Sequence, residues 1–427
     1  MNTFLFGAAT AAHQVEGNNT HSDNWIMEHI KHTDFVEPSG SAVDHYNRYK
    51  EDIELLADAG LNAYRFSIEW ARLEPKEGRF DEREMAHYRD VIHTCRKHGV
   101  KPLVTLHHFS SPAWLIHKGG WGKPYVIDAF ARYARYVATQ LKGELEYVCT
   151  INEANMGFQL NKIAADMMKA GKKEGGVQVG TNGGLDIKTI ILGMFEQGRA
   201  FKCSPFAVNT FLKPRSQEKE KFVMEAHRAA VKEIKAVDPA VKVGLTMSLF
   251  DYQPVSGGEE AAARLWQEDF GWYLPYIQTD DFLGVQNYSR KIVDANGARE
   301  PAKDALLTQM GYEDYPPSIG NVLRKVAQSF NGELIVTENG IATDDDERRC
   351  EFIREAVASV RKAEADGVSV TGYLHWSLLD NFEWQAGYGK TFGLIAVDRK
   401  TQTRYPKESL KVLGSLNMRP DNITNLD

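Results

Sequence analysis

The sequence predicts an α/β protein built as one (β/α)8 barrel, the TIM-barrel architecture, with extended βα loops. Three observations carry this. Eight short apolar runs rich in β-forming residues alternate with long amphipathic stretches. The runs are nearly continuously apolar, as strands covered on both faces are. No linker, low-complexity tract or short-period repeat breaks the 427 residues. Length alone would allow two or three ordinary domains, but a barrel is complete at about 250 residues and grows through its loops. The chain is therefore expected to form a single domain over 1–427. A doubly wound open sheet is the alternative; no GxGxxG follows the first strand, which favours the barrel.

In chain order, the first strand is expected at 4–9, followed by a loop at 16–44 and a helix at 46–59. Gly60 follows that helix where a left-handed cap is wanted. A strand at 63–68 leads to a helix at 82–98, stopped by Gly99. A strand at 102–107 precedes a helix at 126–141, and a strand at 147–151 precedes the loop at 154–188 and a helix at 218–237. Asp238-Pro239 ends that helix, because proline disfavours helical backbone before it. Strands follow at 241–246 and 282–286, then a loop at 289–317 and a helix at 319–329. The last units are a strand at 334–337, a helix at 346–365 stopped by Gly367, a strand at 371–376 and a helix at 406–416.

Composition excludes several classes. With 51 basic and 58 acidic residues the net charge is -7, so nothing draws the chain to nucleic acid or to an anionic membrane. No apolar run is long enough to span a bilayer. Cys95, Cys149, Cys203 and Cys350 are scattered and form no CxxC pair, so they read as small buried hydrophobes rather than metal ligands or a disulfide framework. The start, Met1 to Gly7, lacks the basic and apolar segments of a secretory signal. A cytoplasmic protein is the expectation, and the residues leave its oligomeric state open.

A barrel carries its active site at the C-terminal ends of its strands. Those ends are polar here: Gln14 and Glu16, then Arg65, Ser67 and Glu69, then His107-His108, Asn152-Glu153, Asn287-Tyr288, Glu338-Asn339 and Trp376-Ser377. Glu153 and Glu338 each directly end an apolar strand, on opposite sides of the mouth. Paired carboxylates flanking a bond are the machinery of glycoside hydrolysis. Glu338, near an Arg and a Tyr, is expected to stay ionised, and Glu153, facing that charge, to stay protonated. His107 is expected to face away from His108 and to be structural. Glu69 is expected to share the interior with Arg65 and pair with it. Lys169, Lys172, Lys173 and Glu174 read as a solvated face, and Trp376 and Phe392 also fit as core.

Seven segments in order carry a resemblance: FLFGAATAAHQVEG at 4–17, YRFSIEW at 64–70, TLHHF at 105–109, TINE at 150–153, GVQNY at 284–288, VTENG at 336–340 and WSLLDNFEW at 376–384. Together they resemble glycoside hydrolase family 1, the retaining β-glucosidases and β-galactosidases. The resemblance implies an exo-acting β-glycosidase, in first place a β-glucosidase, that takes a small-molecule β-glycoside or oligosaccharide and needs no cofactor or metal. It makes Glu338 the nucleophile and Glu153 the acid/base. Asn152 would bond the sugar 2-hydroxyl, and Arg65 and Tyr288 would contact the nucleophile. Gln14, His108 and Glu383 would hold the hydroxyls of the non-reducing-end sugar, with Trp376 as platform and the Trp384 indole N–H as a further donor.

The chain departs from the family in three places. Ala154 stands where proline normally follows the acid/base, the stretch 156–184 is glycine- and lysine-rich, and SSPAW at 110–114 lacks the usual acidic or bulky residue. These leave aglycone preference open. A 6-phospho-β-glycosidase of the same family would carry serine at Glu383 and tyrosine at Phe392; only Lys390 matches that pattern. A non-catalytic sugar-binding barrel would be expected to lack a glutamate, and both are present. Capture of the intermediate by an alcohol in place of water is also open.

Overall fold

In the computed structural model, which describes residues 4–170 and 187–417, eight parallel strands close a barrel. They are β1 (Leu5–Ala9), β2 (Ala63–Ser67), β3 (Lys101–His107), β4 (Tyr147–Ile151), β5 (Lys242–Ser248), β6 (Phe282–Gln286), β7 (Glu333–Glu338) and β8 (Val370–Trp376). Each pairs with its sequence neighbours, and β1 closes on β8 with Leu5 opposite Gly372 and Ala9 opposite Trp376. Outside run α1 (His45–Asp58), α2 (Glu82–Lys97), α3 (Tyr125–Gln140), α4 (Gln217–Val237), α5 (Glu259–Asp269), α6 (Ser318–Val326), α7 (Asp346–Ala365) and α8 (Glu408–Ser415).

Strand alternation sorts the core into two layers. Leu5, Ala63, Leu103, Tyr147, Cys149, Phe282, Ile335 and Leu374 plug the barrel interior. Phe6, Tyr64, Val104, Val148, Val243, Val285, Val336 and Tyr373, one residue along, join the large cluster between sheet and helices. Above the plug the inward positions turn polar, at Arg65, Thr105, Thr246 and Gln286. That change of layer puts the site at the strands' C-terminal end.

The eight predicted strands all form, with ends shifted by a residue or two. Among the described residues, three helices longer than ten residues were not expected. One is α5, whose sequence EEAAARLWQED has the acidic first turn and the alanines of a good helix. Of the others, Met156–Ala170 falls in the segment read as loop at 154–188, and Ile187–Ala200 starts at its end and runs through sequence assigned to no element. The loop at 289–317 contributes Arg290–Asp294 and Gly297–Ala298 to a three-stranded sheet with Asp251–Pro254. The lysine-rich face around Lys169, Lys172, Lys173 and Glu174 has side chains outside the described residues. Among the described residues no helix is long and apolar enough to cross a membrane, and the four cysteines are free. Cys203 is half-buried, unlike the other three, because it sits in the turn after Ile187–Ala200.

Candidate active site

The site is built around one guanidinium. Arg65 points inward from β2, wholly buried. Its Nη1 donates to Glu338 Oε1 at 2.6 Å, its Nη2 to Asn152 Oδ1 at 2.5 Å and its Nε to Thr105 Oγ1 at 3.0 Å. A planar fork of donors is what can serve a carboxylate and an amide from one position. Tyr288 donates its hydroxyl to the other oxygen, Glu338 Oε2, at 2.7 Å. Burial and the nearby carboxylates push the Tyr288 phenol pKa well up, so it keeps its proton and remains a donor.

Glu69 does not pair with Arg65. Strand alternation stops at Ser67, and Glu69 instead caps the short helix Trp70–Leu73, accepting from Ala71 N at 3.1 Å and Ser110 Oγ at 3.3 Å. His107 is structural as expected, packed on Trp121, Phe130 and Phe211. Asn287 and Asn339 hold loops rather than the pocket: Asn287 Nδ2 donates to Leu249 O, and Asn339 Nδ2 to Asn287 O.

Asn152 is oriented by its acceptors and donors. Its Oδ1 accepts from Arg65, from Gln286 Nε2 at 2.8 Å and from Thr246 Oγ1 at 3.1 Å. Three donors on one oxygen assign the amide, so Nδ2 is the atom that donates to His108 Nε2 at 3.1 Å. His108 Nε2 must then accept. Burial and the neighbouring Arg65 charge hold the His108 pKa well below the usual range, which keeps the ring neutral with its proton on Nδ1. That N–H has no partner among the described residues.

Glu153 follows β4 with φ +44°, and its own N–H donates to Thr246 Oγ1 at 2.9 Å. The turn lacks proline, yet it is fixed: Asn155 donates to Ser248 O at 2.7 Å and accepts from Ser248 N at 3.1 Å. Phe109 and Trp384 also have positive φ, at +66° and +49°. Left-handed backbone at large residues clusters where a site over-determines it.

The two carboxylates differ electrostatically. Burial raises the pKa of both. For Glu338 the Arg65 charge and the Tyr288 hydrogen bond pull it back; for Glu153 the facing Glu338 charge pushes it further up. A single proton shared by the pair therefore resides on Glu153.

One pocket gathers Gln14, His108, Glu153, Tyr288, Glu338, Trp376, Glu383 and Trp384, with Phe109 and Phe392 as walls. Asn152 and Arg65 stand behind it. Gln14 Nε2 donates to Phe382 O at 2.8 Å and Glu383 Oε2 at 3.2 Å, which leaves Gln14 Oε1 buried and unpartnered. Glu153 Oε2 is in the same state. Buried polar atoms are normally bonded, so atoms of this kind around one cleft mark a place for hydroxyl groups. Among the described residues no group of three or more His, Cys, Asp or Glu could hold a metal.

Sequence reading missed Thr105, Thr246 and Gln286, the residues that orient Arg65 and Asn152. Their only signal is a polar side chain at an inward position of an otherwise apolar strand.

Comparison with known proteins gives a family and close structural relatives. The family model described as glycosyl hydrolase family 1 matches residues 1–175 and 277–421. Beta-glucosidase A of Thermotoga maritima is 31% identical, with 95% of this chain and 95% of the relative covered. A beta-glucosidase of Agrobacterium sp. is 28% identical over 97% of this chain and 94% of its own. The crystal structure of beta-glycosidase BGL167 superposes with a TM-score of 0.87 at 40% identity, covering 97% of this chain and 96% of that one. The Thermotoga maritima beta-glucosidase in complex with glucoimidazole gives a TM-score of 0.79 at 27% identity, over 97% and 98%.

Proposed function

The chain belongs to glycosyl hydrolase family 1, and we propose that it is a retaining, exo-acting β-glucosidase acting on terminal non-reducing β-D-glucosyl residues. The observation that carries this reading is the pair Glu153 and Glu338, lining one pocket with unequal proton affinity. Glu338, held by Arg65 and Tyr288, attacks the anomeric carbon while Glu153 gives its proton to the leaving oxygen. A covalent α-glucosyl ester of Glu338 results. Esterification removes the charge that kept Glu153 protonated, so Glu153 now takes a proton from water as that water attacks the same carbon. Glu338 leaves as carboxylate and the β-sugar is released. Asn152 Nδ2, with one N–H given to His108, keeps a second for the sugar 2-hydroxyl, an interaction that would strengthen as charge develops on the ring.

Gln14, His108 Nδ1–H, Glu383 and Trp384 line the rest of the pocket and suit vicinal hydroxyls, which donate and accept in pairs. Trp376 is the platform. The relatives' names support a glucoside. A 6-phosphoglucoside fits less well, since Glu383 would meet a phosphate dianion. Lys390, its one matching cation, donates to Gln309 O at 2.6 Å and ties two loops together.

Hydrolysis of an aryl β-glucoside by the wild type and by Glu338→Gly tests the assignment. The variant should lose activity and, given azide, form α-glucosyl azide by direct displacement. Full activity in the variant, or no azide product, contradicts it.

A further inference from the structure

His13 precedes Gln14 in the short helix Ala12–Val15 but does not line the pocket. Its ring lies nearly parallel to the Trp384 indole, centroids 5.7 Å apart and planes 6° apart. His108 stacks on the same indole at 6.2 Å and 17°, and on Trp376 at 5.6 Å and 25°. Trp384 thus takes near-parallel contacts from two imidazoles, one inside the pocket and one behind it. The indole needs such support: its backbone has φ +49°, a conformation a large residue keeps only when its surroundings impose it. Phe109 meets the indole edge-on at 5.3 Å and 64°, so ring packing from three sides sets the direction of its N–H.

His13 is held more firmly than packing alone would require. Its Nε2 lies 2.7 Å from Glu28 Oε1, and both side chains are fully buried. Glu28 Oε2 accepts from Ser39 N at 3.0 Å and Ser39 Oγ at 2.7 Å. The Asn19 amide sits 3.1 Å from the other ring nitrogen and reaches Ser110 Oγ at 3.2 Å. Burial works against a charge on His13, but Glu28, with Glu69 and Asp23 beyond it, outweighs burial and raises its pKa. A buried pair of this kind adds little stability over an apolar pair of the same size. What it adds here is a fixed ring plane.

We propose that His13, oriented by Glu28, is a positioning residue for sugar recognition: it fixes the plane of Trp384 and so the direction in which the indole N–H meets the substrate hydroxyls. The inference rests on the glycosidase reading of the pocket. The neighbouring residue works on the same segment, since Gln14 Nε2 bonds Asn381, Phe382 and Glu383, and Phe382 N donates to Gln14 O at 3.2 Å. The short helix after β1 therefore seats the whole stretch 381–384 that follows β8.

Two double variants separate ring placement from mere filling of space. His13→Phe with Glu28→Met keeps a ring against Trp384 and leaves no unpaired carboxylate. His13→Ala with Glu28→Met removes the ring. Both are first shown to be folded by near-ultraviolet circular dichroism. The first should keep KM for an aryl β-glucoside close to the wild-type value. The second should raise KM by about 3- to 10-fold, the worth of one ring pair, with kcat changed less. Added to Trp384→Phe, the ring-removing pair should cost nothing more, because both act through one indole. Equal KM values in the two double variants, or fully additive losses with Trp384→Phe, overturn the proposal.

A readout without turnover keeps the two readings apart. The indole ¹H–¹⁵N resonance of Trp384, identified by its disappearance in Trp384→Phe, should move on removal of the ring and stay near its place in the His13→Phe pair. A wild type that cleaves no glycoside counts against the glycosidase reading. An unmoved indole resonance counts against His13 alone.

Discussion

Arg65 joins the proposed nucleophile Glu338 to Asn152 through one guanidinium, so each residue of the site depends on the placement of the others. Tyr288 is the cleaner residue to remove. Its hydrogen bond lowers the Glu338 pKa, so Tyr288→Phe should raise it. Activity needs Glu338 ionised; the acid limb of the kcat/KM profile should therefore move to higher pH. A hydrogen bond to a charged group is worth about 1.5–3 kcal/mol, so kcat/KM should fall by roughly 10- to 100-fold; an unmoved acid limb would contradict the assignment. Glu338→Gly should cost on the order of 10⁴-fold or more in kcat, as loss of a nucleophile does elsewhere. Substrate charge offers a third check. Like charges about 4 Å apart at an effective dielectric of about 20 repel by about 4 kcal/mol, so a 6-phosphoglucoside should be turned over roughly 10³-fold less efficiently than the glucoside, and equal rates would contradict the role given to Glu383. At this scale His108, Glu153, Tyr288, Glu338 and Trp376 were legible because each ends or closely follows a strand, while Gln14, Glu383 and Trp384 were placed in the pocket only through the family resemblance. Thr105, Thr246 and Gln286 were not, because single polar residues inside an apolar run look the same whether they face a site or a neighbouring strand. Glu69 was misread because strand alternation was carried two residues past the end of β2.

Elements are held together at the barrel's seam by a buried charge cluster. Asp52 of α1 accepts from Arg404 Nε at 2.7 Å and Nη2 at 2.8 Å, and pairs with His45 Nδ1 at 2.7 Å. His45 Nε2 meets the Tyr64 hydroxyl at 3.0 Å. The cluster ties α1 to β2 and to the strand Arg404–Pro406. Removing one partner of a buried pair costs about 3–5 kcal/mol, so Asp52→Asn should lower unfolding stability by that order in urea; a loss below about 1 kcal/mol would show the cluster to be dispensable. Its Arg404 and His45 partners hold the Asp52 pKa below the usual range despite burial. The stabilisation is present above the unfolded carboxylate pKa and is lost as pH falls through the lower folded value, hence on the acid side of about pH 4. Strands and outer helices were legible from apolar runs and glycine stops, such as Gly60, Gly99 and Gly367. α5 was legible in principle, since its alanines and acidic first turn are good helix signals. The helices Met156–Ala170 and Ile187–Ala200 flank glycine- and lysine-rich sequence that reads as loop and obscures the helical periodicity on either side.

The whole molecule puts its chemistry where closure of the sheet leads. Below, eight strand positions plug the interior with apolar side chains; above, the same inward positions turn polar and carry the site. The barrel was legible because eight covered strands alternating with helices leave few other ways to close. The pairing of Glu153 with Glu338 was legible as well, since β4 and β7 face each other across the mouth. Their unequal proton affinity was legible in outline from the Arg and Tyr expected beside Glu338; which oxygens Arg65 and Tyr288 reach needed the structure. That inequality is the basis of the proposed two-step displacement, and the sugar released first reports on it directly. Proton NMR of β-glucoside cleavage, followed from the first turnovers, should show β-glucose appearing before mutarotation yields the α anomer. If α-glucose appears first, the reaction inverts, Glu338 forms no covalent intermediate, and the account of the site is wrong.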